Sequence, residues 1–170
     1  MAYTIEKFAE DIRQTLKADP GPAGRETIRL LTEKAVSDEA LVKTYLGPQN
    51  TKKRQILYED PELGFCICAH VGEGNDEKGP PPHDHGTTWA IYGQAVGVTT
   101  MTDWRIVEPA KNGGPGVAEP IETYDLKPGT ARLYDVGFVH SPVRGGATRF
   151  IRVEGENQDK VQGRHIYKPA

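Results

Sequence analysis

The chain has 170 residues, with 21 lysines and arginines against 24 aspartates and glutamates and a formal charge of −3. A length of this order favours one domain with a real core. A balance this even, with no long run of one sign, gives no basis for recruiting nucleic acid or an anionic membrane by charge. No apolar stretch approaches the ~20 residues that span a bilayer, and the N-terminus lacks a basic segment followed by an apolar core, so a cytoplasmic protein is expected.

In chain order, the first elements read as helices. Ile5, Phe8, Ile12 and Leu16 fall on one helical face, and Asp19-Pro20-Gly21 ends that run. A second helix carries Ile28, Leu31 and Val36, and Ser37 is placed to cap a short third helix through Leu46, stopped by Gly47-Pro48. Beyond this the period drops to two: Phe65, Ile67 and Ala69 alternate with Cys66, Cys68 and His70. The two cysteines therefore share a strand face, are poorly placed to bridge one another, and are expected to be reduced and buried.

Further strands are expected over Thr87–Tyr92, Ala95–Trp104, Ile121–Tyr124, Ala131–Tyr134 and Arg149–Val153, with exposed loops over Asn75–Pro82 and Pro109–Pro120. Glycines (19) and prolines (13) cluster after residue 46, as a fold with many turns requires. Short strands at this spacing suggest a barrel or sandwich. The expected organisation is a helical segment over residues 1–47 packed on a barrel formed by residues 48–170.

The segment Pro82-His83-Asp84-His85-Gly86 carries the clearest chemistry. Alternation along a strand sends His83 and His85 to one face, where two imidazoles can meet one ion. His140 follows far downstream in Asp135-Val136-Gly137-Phe138-Val139-His140-Ser141-Pro142, just before a turn, and a barrel can bring it across the lumen. On spacing alone, a His-x-His pair is as often chance or a surface feature.

The spacings resemble the two sequence boxes of the cupin superfamily, whose fold is a double-stranded β-helix, a jelly-roll barrel that holds a metal inside. In the first box a His-x-His pair is followed by a glutamate and a glycine, and here His83, His85, Ala90 and Gly97 fall at those places. In the second, Gly129, Asp135, Gly137 and His140 occupy the places of a glycine, a proline, a second glycine and the third histidine. The resemblance implies a mainly β cupin barrel with N-terminal α-helices. With Ala90 in place of the usual carboxylate ligand, it implies a three-histidine metal site.

That ligand set is shared by the thiol dioxygenases, the cysteine and 3-mercaptopropionate dioxygenase group. Val71-Gly72-Glu73-Gly74, the His-Asp-His-Gly core, Thr102-Asp103-Trp104 and Arg54-Gln55-Ile56-Leu57-Tyr58 also resemble that family. Arg54 matches the arginine that binds the substrate carboxylate there. The family's Ser-x-His-x-Tyr triplet is replaced by Phe150-Ile151-Arg152-Val153-Glu154, so none of its three side chains survives. Either Phe150, Arg152 and Glu154 face the lumen, with Arg152 and Glu154 satisfying one another or a substrate group, or Ile151 and Val153 face the core and the charges are solvated.

The resemblance implies a non-haem iron(II) dioxygenase acting on a small thiol or carboxylate substrate, with Arg54, Arg152 and Glu154 as catalytic candidates. Zinc, nickel or manganese on the same ligands, supporting hydrolysis or isomerisation, is the alternative, as is a cupin that only binds a small molecule. Substrate and dioxygen are the expected partners, with the chain a monomer or homodimer. His70 and His165 read as structural residues, and Trp89, Tyr92 and Trp104 as packing residues of which one could line the pocket.

Overall fold

The computed structural model describes residues 3–74 and 78–170. Of the loop expected over Asn75–Pro82, positions 75–77 lie outside the described residues.

Three helices open the chain: α1 (Ile5–Ala18), α2 (Pro22–Ser37) and α3 (Glu39–Tyr45). The hydroxyl of Thr4 accepts from the Lys7 amide at 3.2 Å to start α1, and Pro22, with no amide proton to lose, occupies the first turn of α2. The cap of α3 is Asp38, whereas Ser37 is the last residue of α2. A carboxylate there does two jobs: Oδ1 accepts from Leu41 N at 3.0 Å, and Oδ2 from Tyr3 N at 2.8 Å. Asp38→Ala is therefore expected to lower unfolding free energy by about 1–2 kcal/mol, read as a shift in the urea midpoint. An unmoved midpoint would show that neither bond matters.

Nine strands follow among the described residues: β1 (Arg54–Glu59), β2 (Cys66–Gly72), β3 (Ala90–Val96), β4 (Thr99–Glu108), β5 (Gly116–Leu126), β6 (Ala131–Tyr134), β7 (Val139–Val143), β8 (Thr148–Glu154) and β9 (Tyr167–Pro169). They form two sheets, in the orders β1-β2-β8-β3-β6 and β7-β4-β5-β9. A two-way hydrogen-bonded pair between His83 and His140, 3.0 Å in each direction, adds the His83 segment to the free side of β7. The alternating return of the chain between facing sheets, β2-β8-β3-β6 against His83-β7-β4-β5, is the double-stranded β-helix.

Several element boundaries differ from the sequence reading. The strand expected from Thr87 starts at Ala90, and a break at Gly97 and Val98 separates β3 from β4. Gly97 turns there with φ +71°, and a Cβ at that position would lie 2.1 Å from the Ala147 carbonyl oxygen. The loop expected over Pro109–Pro120 ends at Pro115, because β5 runs through Pro120. That proline sits opposite Trp104 at a bulge between Asp103 and Trp104, where its missing amide costs no regular ladder bond.

Alternation gives the first sheet two different faces. Ile67, Ala69, Ile91, Ile151 and Val153 pack outward beneath Phe8, Ile12, Ile28 and Val36 of the helices. Gly93 lets α2 come this close, since a Cβ there would meet Thr32 Cγ2 at 2.6 Å. The other face looks into the barrel, where Ala90, Tyr92, Met101, Leu126, Tyr134 and Phe150 form a second cluster. No helix among the described residues is long and apolar enough to cross a membrane.

Candidate metal centre

His83, His85 and His140 meet at one end of the lumen, each offering a ring nitrogen within 4.8 Å of the others. His140 lies inside β7, where the sequence suggested only the approach to a turn, and it is fully buried. His83 is not part of a continuous strand. It is held by single bridges to His140 on one side and Ile166 on the other.

Each imidazole is oriented through its Nδ1. That of His83 donates to the Pro81 carbonyl at 2.8 Å, that of His140 to the Phe138 carbonyl at 3.3 Å, and that of His85 to Gln158 Oε1 at 3.3 Å. With Nδ1 carrying the proton, Nε2 is left as a lone pair for a metal. The Nε2 atoms of His85 and His140 face each other at 3.1 Å. Two lone pairs this close repel unless a cation lies beside both. Burial also favours the neutral, ligating form: it lowers the pKa of His83, pushes that of His85 down to about 3, and lowers that of His140 well below the ordinary range, with neighbouring imidazoles and Arg152 adding to the effect. Among the described residues no carboxylate joins these three: Asp84 is turned to His165, and the inward position on β3 nearest in sequence is Ala90, which has no ligand atom. The donor set suits a divalent ion with open coordination positions.

Asp84 instead ties down the C-terminal segment. Its Oδ1 accepts from Gly86 N and His165 N, both at 2.9 Å, and its Oδ2 lies 2.9 Å from His165 Nδ1. His165 is accordingly structural, with a half-exposed ring.

The replaced triplet on β8 resolves in a way that combines the two readings. Ile151 and Val153 face the helical core, while Phe150 and Glu154 on the lumen side are buried and Arg152 beside them is mostly buried. Glu154 is wholly buried; Nε and Nη2 of Arg152 reach its Oε1 at 2.7 and 2.5 Å. Its Oε2 accepts from Arg54 Nη2 and from Gln158 N, both at 2.8 Å. Arg54 also bonds Asp159 at 2.6 Å and Asn157 at 3.1 Å, so its terminal nitrogens are committed to protein groups. Burial pulls the Arg152 pKa down, but Tyr92 and Glu154 outweigh it and hold the guanidinium above its ordinary value.

Two residues at the site, Gln158 and Asn157, carried no functional signal in the sequence, and Tyr92, read there as a packing residue that could line the pocket, brings its hydroxyl to the ligand group. That hydroxyl stands 3.4 Å from His85 Nε2 and accepts from Arg152 Nη1 at 3.4 Å. Trp104 packs at the rim, donating to Ser141 Oγ at 2.9 Å. Cys66 and Cys68 are free and buried, with their sulfurs 3.4 Å apart beneath Glu154. A cavity of about 580 Å³ between the Ala110–Pro115 loop and Gly163–Ile166 is lined by none of the three ligand histidines.

No family model matches the chain, and no curated protein does. Among solved structures, the chain is similar to a hydroquinone 1,2-dioxygenase in complex with Cd²⁺ and 4-hydroxybenzonitrile, at 15% identity and TM-score 0.49 over 72% of each chain. It is also similar to a Klebsiella pneumoniae protein with a double-stranded β-helix domain, at 17% identity and TM-score 0.47, covering 74% of this chain and 88% of that one. A third likeness is KdgF from a Halomonas species, at 16% identity and TM-score 0.45 over 64% and 83% of the two chains. The strand pairing itself defines the architecture: this chain is a double-stranded β-helix with a three-histidine candidate metal centre.

Proposed function

We propose that the chain is a metal-dependent oxygenase, with iron(II) held by His83, His85 and His140 and a small anionic substrate taken into the lumen beside it. The observation that carries this reading is the convergence of three Nε2 lone pairs whose Nδ1 partners are all fixed, with no carboxylate among the ligands. Iron(II) held by these three imidazoles would supply the activation of dioxygen toward a substrate beside it.

The protein's own part is orientation. Arg152 presents Nη1 toward the site while its other nitrogens are locked on Glu154, and so supplies a fixed positive charge for a substrate anion. Arg54 braces Glu154 from the far side and, together with Gln158, keeps that carboxylate from competing for the substrate position. This arrangement favours Arg152 over Arg54 as the group that meets substrate. Phe150, buried between His70 and Tyr92, narrows the space further.

The test is metal analysis of anaerobically purified protein, followed by oxygen uptake with a panel of thiol and carboxylic acids. Iron in stoichiometric amount and substrate-dependent oxygen uptake are expected. Because β8 lacks the Ser-His-Tyr side chains, cysteine and 3-mercaptopropionate are expected to turn over well below ~1 per second, an ordinary enzyme rate. Turnover near that rate would show those side chains to be dispensable. Zinc as the resident ion, with no oxygen uptake on any acid after iron loading, would favour the hydrolytic alternative.

A further inference from the structure

We infer that Tyr92 is the lumen's hydrogen-bond donor to the metal-bound end of the substrate, and that the atom it recognises is anionic. The inference rests on the metal reading of the three histidines. Tyr92 is placed by the period of β3, two residues beyond Ala90 and on the same inward face. Its ring cannot swing away: it meets Tyr134 edge-on at 5.3 Å, stacks against Phe150 at 5.7 Å and abuts His140 at 5.8 Å, leaving the residue only 4% exposed.

The hydroxyl has two neighbours with opposite roles. Arg152 Nη1 can only donate, so it takes a lone pair of the tyrosine oxygen. The tyrosine proton is then left for His85 Nε2 at 3.4 Å, the acceptor beside it among the described residues. That acceptor is the lone pair a metal would use. Once it is committed to an ion, the O–H proton has lost its partner in a buried place, where an unmet donor is costly. A negatively charged atom on the ion, next to His85, restores the bond. Arg152 strengthens the preference twice, by polarising the hydroxyl and by its own positive charge. The recognised group is thus a compact anion, the charged end of a small acid or thiol, and not a neutral carbonyl or hydroxyl.

The test uses azide as the anionic probe and cobalt(II) as a visible reporter in the full-length chain. Three proteins are titrated: the parent, Tyr92→Phe and Tyr134→Phe. Tyr134 is the control, since its hydroxyl bonds that of Tyr124 at 2.7 Å and not the ligand set. All three should hold about one cobalt per chain. Azide affinity should fall about tenfold in Tyr92→Phe, the loss of one hydrogen bond to a charged acceptor, and change less than about twofold in Tyr134→Phe. Unchanged affinity in Tyr92→Phe overturns the inference, as does an equal loss in Tyr134→Phe or a cobalt-loaded parent that ignores azide. A parent that takes up no cobalt overturns the metal reading itself, and that result is visible before any azide is added.

Discussion

His140→Ala is expected to empty the site, taking bound metal from about one ion per chain to under roughly a tenth of that after dialysis against a mild chelator. Removing a residue that merely orients a ligand commonly costs 10–100-fold in affinity, and His140 is proposed as a ligand itself. Its ring lies 4.8 Å from those of both His83 and His85, so it is the member in contact with each of the others. Asp84, the carboxylate between the two remaining imidazoles, is already engaged by Gly86 and His165. Elemental analysis of the purified variant decides the matter. Full occupancy would remove His140 from the site and turn attention to the other group with metal-ligating atoms among the described residues, Cys66, Cys68 and Glu154. That group is a poor candidate, because both oxygens of Glu154 are already taken by arginines and Gln158.

Glu154→Ala should unfold far more easily than the parent, by about 3–5 kcal/mol, because it strips the counter-charge from a mostly buried guanidinium. Arg152 would be left with only the long bond to Tyr92, and Arg54 would keep only its outer partners, Asp159 and Asn157. For a chain of this length that corresponds to roughly 10 °C in melting temperature. Glu154→Gln, which keeps an oxygen acceptor, should lose less. A loss under about 1 kcal/mol in the alanine variant would mean that these charges are solvated in solution.

The parts of this architecture that depend on period were legible in the sequence, and the parts that depend on register across distant strands were not. The shared face of Cys66 and Cys68 and the inward set Phe150, Arg152 and Glu154, one of two orientations the pattern allows, follow from alternation along single strands. His83 and His85, by contrast, converge through an isolated bridge and a loop and not along a strand. What Glu154 touches depends instead on β1, β2 and β8 lying side by side, which brings Arg54 to a residue a hundred positions away. Tyr92 was hidden for another reason: an aromatic residue on a strand reads as packing, and it does pack. Its position two beyond Ala90 was nonetheless a usable signal, since it must share the face of the box position where a carboxylate ligand is expected. Ser37 and Asp38 illustrate the ordinary ambiguity of helix ends, where two adjacent residues could each cap and only backbone direction decides.

The C-terminal segment gives the ligand cluster a dynamic character. Ile166 bridges His83, Tyr167 N donates to the Pro82 carbonyl at 2.8 Å, and β9 pairs with β5, so a belt of backbone bonds runs from β5 through the tail to His83 and on to β7. One of three ligands thus hangs partly on a short peripheral strand. Such strands open at a fraction of the free energy of global unfolding. An ion held by the three histidines would then exchange when residues 165–169 lift away at the rim of the barrel, with the lumen still folded.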